Sequence, residues 1–174
     1  MMTKTRFSAA RLLIIAVLLA IGYATCHAQQ TSRLQALYLY NFAKNTSWAS
    51  TDKPLTITVV ADKAVAKDLK TISANKQVGG RRVVIAESAS AQGITDADIV
   101  FLGEAKSAQI ETLVSEQAAN KVLIVSGTKG HCSKGADIAF ELANGKFTYS
   151  ISEANIVRHG LTVSRALITS GKAL

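Results

Sequence analysis

Four short apolar runs, Leu55 to Ala61 (LTITVVA), Arg81 to Ala86 (RRVVIA), Ala97 to Gly103 (ADIVFLG) and Val122 to Ser126 (VLIVS), alternate with segments of helical periodicity. Each run is too short for a stable helix and rich in β-branched residues, and Leu55 to Ala61 in particular is too apolar to face water on both sides, so they read as strands with buried positions. Between them, Val65, Leu69 and Ile72 mark one face of a helix over 64–75, started by Asp62, and Ile110, Leu113 and Val114 mark another over 107–119. Strand, helix, strand, helix, strand is the pattern of crossover units on a largely parallel sheet, because a parallel return needs a long connection.

The ends of the chain follow other rules. Thr31 to Asn45 carries Leu34, Leu37, Tyr38 and Asn41/Phe42 at helical spacing, with Thr31 or Ser32 as its cap. Pro54 then holds Lys53 extended. After Ser126 the loop GTKGHCSKG leads to two apolar segments, 137–142 and 146–151, separated by Asn144-Gly145, the strongest short-range hairpin signal. Ser152 caps a further helix with Glu153 in its first turn, Gly160 stops or kinks it, and 161–170 adds a last amphipathic piece. The expectation is a single α/β domain: a mixed, largely parallel sheet flanked by helices, closed by an antiparallel hairpin and a terminal helix.

Residues 1–28 read as a secretory signal. Lys4, Arg6 and Arg11 precede an uninterrupted apolar stretch from Leu12 to Ile21, and Cys26 and Ala28 supply the small residues for cleavage before Gln29. The stretch is half of the roughly 20 residues a spanning helix requires. Acylation at Cys26 is the alternative, but Tyr23-Ala24-Thr25 is a poor lipoprotein box. Cleavage leaves a domain over 29–174 with 17 basic against 12 acidic residues, a net charge of about +5 against +8 for the whole chain. The bases are scattered and have no interleaved aromatics, which argues against a nucleic-acid surface.

Catalytic and metal-binding constellations are weak. Cys132 is the one cysteine left after cleavage, so it is buried, bridges to a second chain, or is reactive. His131 is its sequence neighbour, but a nucleophile needs a base in space and a third group to orient it. Two histidines and one cysteine without regular spacing do not supply zinc's ligands. Gly127-Thr-Lys-Gly130 departs from the phosphate-loop pattern and leads to no helix. No catalytic, cofactor or metal residue is assigned. Tyr38, Tyr40, Phe42 and Trp48 crowd together; Trp48 falls in a loop, where it either packs or anchors a partner.

Three segments resemble the YfiR family of exported bacterial proteins: ALYLYNFAKNTSW (36–48), VGGRRVVI (78–85) followed by ADIVFLG, and DIAFELANGKFTYSISEANIVRHGLTVSRAL (137–167). The resemblance implies a compact α/β fold, often dimeric, held in the periplasm, where the best-known member restrains a membrane-bound diguanylate cyclase by contact and not by catalysis. The cysteine that often precedes the ADIVFLG-type strand is absent here, with Asp98 in its neighbourhood, so an intramolecular disulfide is unsupported. Ser152 replaces the usual asparagine after FTYSI. The expectation is a non-enzymatic regulator of an inner-membrane sensor such as a cyclase or histidine kinase, with Trp48, Ile156, Val157, Leu161 and Val163 as candidate contacts. The alternative is a small-ligand module in which Arg81, Lys129 and His131 meet an anion at the carboxyl ends of the strands.

Overall fold

The computed structural model describes residues 30–48, 52–143 and 146–174, so the expected signal segment lies outside the described residues. Helix α1 (30–45) runs into the short strand β1 (Thr46–Ser47). Then come β2 (Leu55–Val60), α2 (Lys63–Ser73), β3 (Gln77–Val78), β4 (Arg81–Ser88) and β5 (Ile99–Leu102). A 3-10 turn (Glu104–Gln109) leads to α3 (Ile110–Gln117) and β6 (Leu123–Ser126). A second 3-10 turn (His131–Lys134) precedes β7 (Ile138–Ala143), β8 (Lys146–Ile151), α4 (Glu153–Arg158), β9 (Thr162–Val163), α5 (Arg165–Ser170) and β10 (Lys172–Ala173).

The main sheet has the order β10-β8-β7-β6-β5-β2-β4-β3. Its five central strands, β4 to β7 by way of β2, are parallel, whereas β8 and β3 pair antiparallel at the flanks. The chain leaves β2 for β4 on one side and returns to β5 on the other, so the winding direction switches between β2 and β5. The pleat sends Leu55, Ile57 and Val59 to one face, where they pack with α1, α2 and the C-terminal helices. Val60, Val100, Leu102 and Ile124 point to the other, against Ile110 and Leu113 of α3. Phe42, Phe140 and Tyr149 close the first core at the hairpin end, with ring centroids 5.0 to 5.8 Å apart for the pairs that include Phe42.

The fold class is as expected, with three local differences. Helix α1 buries Ala36, Leu39, Phe42 and Ala43, while Leu37 is 46 % exposed. The buried stripe is thus rotated from the one that the largest apolar residues suggest, because two alanines let the helix settle close to the sheet. The helix expected over 107–119 begins as a 3-10 turn at Glu104, since Glu104 to Gln109 has no apolar residue buried to anchor an α-helical turn. The terminal helix is shorter than 161–170: Thr162–Val163 pair antiparallel with Thr46–Ser47, and α5 begins after Ser164. Ser164 N–H donates to Asn45 O at 2.8 Å, so pairing with the distant end of α1 overrides local helical periodicity.

Candidate functional site

The amino ends of the parallel strands are tied together by charge. Arg81 opens β4 and donates from Nε to Lys53 O, from Nη1 to Asp98 Oδ1, and from Nη2 to Pro54 O and Asp98 Oδ2. Asp98 Oδ2 also accepts from Thr56 N–H at 2.8 Å. The planar fork thereby ties β4, β2 and β5 together. At the start of β7, fully buried Asp137 accepts from Ile124 N–H at 2.7 Å and faces His159 Nδ1 at 2.9 Å. Burial pushes the Asp137 carboxyl up from its ordinary range, and His159 pulls it partly back.

The crossover from β6 to β7 carries the remaining candidate chemistry and disarms it. Cys132 is 6 % exposed, its Sγ lies 3.6 Å from Ser150 O, and burial beside Asp137 and Glu141 pushes the thiol up to about 12. The thiolate needed for nucleophilic attack is therefore not available at neutral pH. His131 Nδ1 sits 2.8 Å from Ser126 Oγ, which also accepts from Thr128 N–H at 3.1 Å. Burial, reinforced by Lys134, lowers the His131 pKa. Ser126 is 0 % exposed, so this serine–histidine pair serves the loop and does not face a substrate. Among the described residues no group of three His, Cys, Asp or Glu could hold a metal ion.

Arg81, Lys129 and His131 are not brought together. Arg81 is spent at the amino ends, Lys129 points to Glu141 at 3.5 Å, and His131 is buried in the crossover. An anion site built from the three does not exist, because a sheet strand separates its two ends by its whole length, a distance that residue spacing does not reveal.

Both ends carry open clefts: one of about 410 Å³ lies over the Arg81–Asp98 pair at the amino ends, and two adjoining ones lie at the carboxyl ends. A cavity of about 450 Å³ at the switch between β2 and β5 is lined by Gln35, Asp62, Lys63 and Glu104, among others. A second, of about 200 Å³, shares Gln35 and Glu104 and is floored by Phe140, Leu142 and Phe147. Ala61, at the carboxyl end of β2, has a φ of 56°, a left-handed conformation unusual for alanine, and such strain collects where backbone is held for function. Gly103 follows β5; a Cβ there would lie 2.8 Å from Val60 O, so the strand ends approach too closely for any side chain. Sequence reading missed Gln35, which lies one turn before Leu39 on a buried stripe that also carries Ser32.

The expected partner contacts fall in two settings. Ile156 and Leu161 are 2 % and 5 % exposed and belong to the main core, while Val157 is 72 % exposed on the outer side of α4. Trp48 and Val163 are half-buried against the core, and Trp48 Nε1 donates to Ala43 O at 2.7 Å, closing the end of α1.

The model of the YfiR/HmsC-like family matches residues 32–171. The chain belongs to that family. The match runs from the first turn of α1 through α5, so it reaches beyond the three quoted segments and leaves out only β10 among the elements of the main sheet. YfiR/HmsC-like domains are periplasmic regulators not known as enzymes, and among the described residues no helix is long and apolar enough to cross a membrane. Among solved structures, a conserved domain protein from Vibrio cholerae O1 biovar El Tor str. N16961 superposes with a TM-score of 0.54 at 14 % identity, covering 82 % of this chain and 59 % of that one. That likeness is one of fold, and the chain spans less than two thirds of the Vibrio protein. None of the curated proteins matches the chain.

Proposed function

We propose that the protein is exported by residues 1–28 and acts in the periplasm by binding the outer-facing part of an inner-membrane sensor, such as a diguanylate cyclase or a histidine kinase, and restraining it. The observation that carries this reading, beside membership of the family, is the exposure of Val157. It is a large aliphatic side chain held in water on a short helix whose inner side, Asn155 and Ile156, is locked into the core. An apolar residue on a rigid support offers a partner a surface that needs no ordering on contact. Val163 and Trp48 extend the candidate surface, and Ile156 and Leu161 hold it from beneath. The thiol and imidazoles are engaged in burial and hydrogen bonds, which favours contact over catalysis.

The test is crosslinking capture from envelope fractions, with wild type and V157D compared. One inner-membrane sensor recovered by the wild type and lost with V157D supports the reading. Equal recovery by both moves the contact elsewhere, and recovery of no membrane protein sinks it.

A further inference from the structure

The two adjoining cavities at the carboxyl ends of the strands share a wall made by Gln35 and Glu104. Gln35 is only 6 % exposed, yet its carboxamide makes no hydrogen bond among the described residues. Its oxygen and nitrogen are not themselves sealed from solvent, since Thr128 Oγ1 is the one buried side-chain polar atom without a partner among the described residues, so the carboxamide reaches the groove and offers it a donor and an acceptor side by side. Glu104 likewise makes no hydrogen bond or ion pair. Although the chain is basic overall, the groove carries Asp62, Glu104 and Glu141 against Lys63 and Lys129, and Lys129 is turned to Glu141. Beyond Gln35 the surface becomes apolar at Phe140, Leu142 and Phe147, with Leu142 69 % exposed. The groove crosses the point where the winding direction of the sheet reverses, the place where open α/β sheets hold ligands.

The geometry points to a binding site for the free amino end of a peptide or a similar amide-bearing ammonium compound. The ammonium group lies at Glu104 and Asp62, the adjoining amide pairs with the Gln35 carboxamide, and an apolar side chain lies over Leu142 and Phe147. A carboxylate at the same place meets Glu104 and Asp62 and is disfavoured.

The probe is leucinamide, which has the ammonium, the amide and the apolar branch without a carboxylate, titrated into the purified protein by calorimetry. A ligand of about nine heavy atoms is expected to bind with a dissociation constant on the order of 1 mM or tighter. N-acetyl-leucinamide and free leucine are expected to bind at least tenfold more weakly, and Q35L and E104Q each to weaken leucinamide about tenfold. Q35L is expected to melt close to wild type, since it keeps the side-chain volume and removes a carboxamide that makes no hydrogen bond among the described residues, which separates a lost site from a lost fold. Absence of leucinamide binding, free leucine binding as well as the amide, or unchanged affinity in both variants would overturn the assignment. V157D is expected to leave leucinamide binding unchanged, so this site and the sensor contact fail independently.

Discussion

The two ends of the parallel strands solve opposite problems with similar residues. At the amino ends, Arg81, Asp98, Asp137 and His159 are buried or nearly so and find partners in one another and in backbone groups of neighbouring strands. At the carboxyl ends, the Gln35 and Glu104 side chains make no hydrogen bond or ion pair among the described residues and face the groove, and Ala61 is held at positive φ. The charged groups at one end form a clamp satisfied within the protein, whereas the polar groups of Gln35 and Glu104 at the other are left to whatever fills the groove.

The largest effect is expected from breaking the clamp. R81A leaves the Asp98 carboxylate without its cation and is expected to cost about 3 kcal/mol, roughly a 10 °C fall in melting temperature for a domain of this size. R81A/D98A is expected to cost less than the two single changes together, a coupling that thermal melts of the four proteins measure. Additive effects would mean that the fork serves Lys53 and Pro54 alone.

Helix α4 offers a sharper contrast within six residues. I156A removes a core side chain and is expected to lose about 3 kcal/mol in denaturant unfolding. V157D, on the solvent side, is expected to change stability by less than about 1 kcal/mol. If V157D unfolds the protein, Val157 is structural and capture experiments with it say nothing of a surface.

Asp137 makes the amino end sensitive to pH in a direction opposite to that of a carboxylate held by a salt bridge. Its pKa is raised on folding, so between its unfolded value of 3.8 and its folded one the native state binds more protons than the unfolded chain. Its contribution therefore favours folding at low pH and is lost as pH rises through the folded value. D137N removes this dependence. Unfolding of wild type and D137N followed from pH 4 to pH 7 is expected to show the variant gaining on the wild type as pH rises. A constant gap would show that His159 cancels the desolvation in full.

The smallest effect concerns Cys132. With the thiol 6 % exposed and pushed up to about 12, a thiol reagent is expected to label native protein at neutral pH only at the rate of unfolding. C132S is expected to cost under about 1 kcal/mol, because serine retains a donor for Asp137 O and Ser150 O. Fast labelling would restore a reactive-thiol role.

What the sequence by itself determined is local. The β-branched runs, the Asp62 and Ser152 caps and the Asn144-Gly145 turn each carry their conformation in a few neighbouring residues, so the order of strands and helices, the parallel sheet and the closing hairpin were legible. The tertiary structure decided whatever depends on residues far apart in the chain. Thr162 pairs with Ser47 and Ser164 with Asn45 across more than 110 residues, which shortened the terminal helix. Arg81, a member of the anion site in the alternative reading, is bound to Asp98, since charge type says nothing about which end of a strand a residue occupies. Gln35 reads in sequence as one polar residue among several on α1; only packing against the sheet buries most of it and turns it toward a groove, because burial is a property of the assembled neighbours and not of the residue.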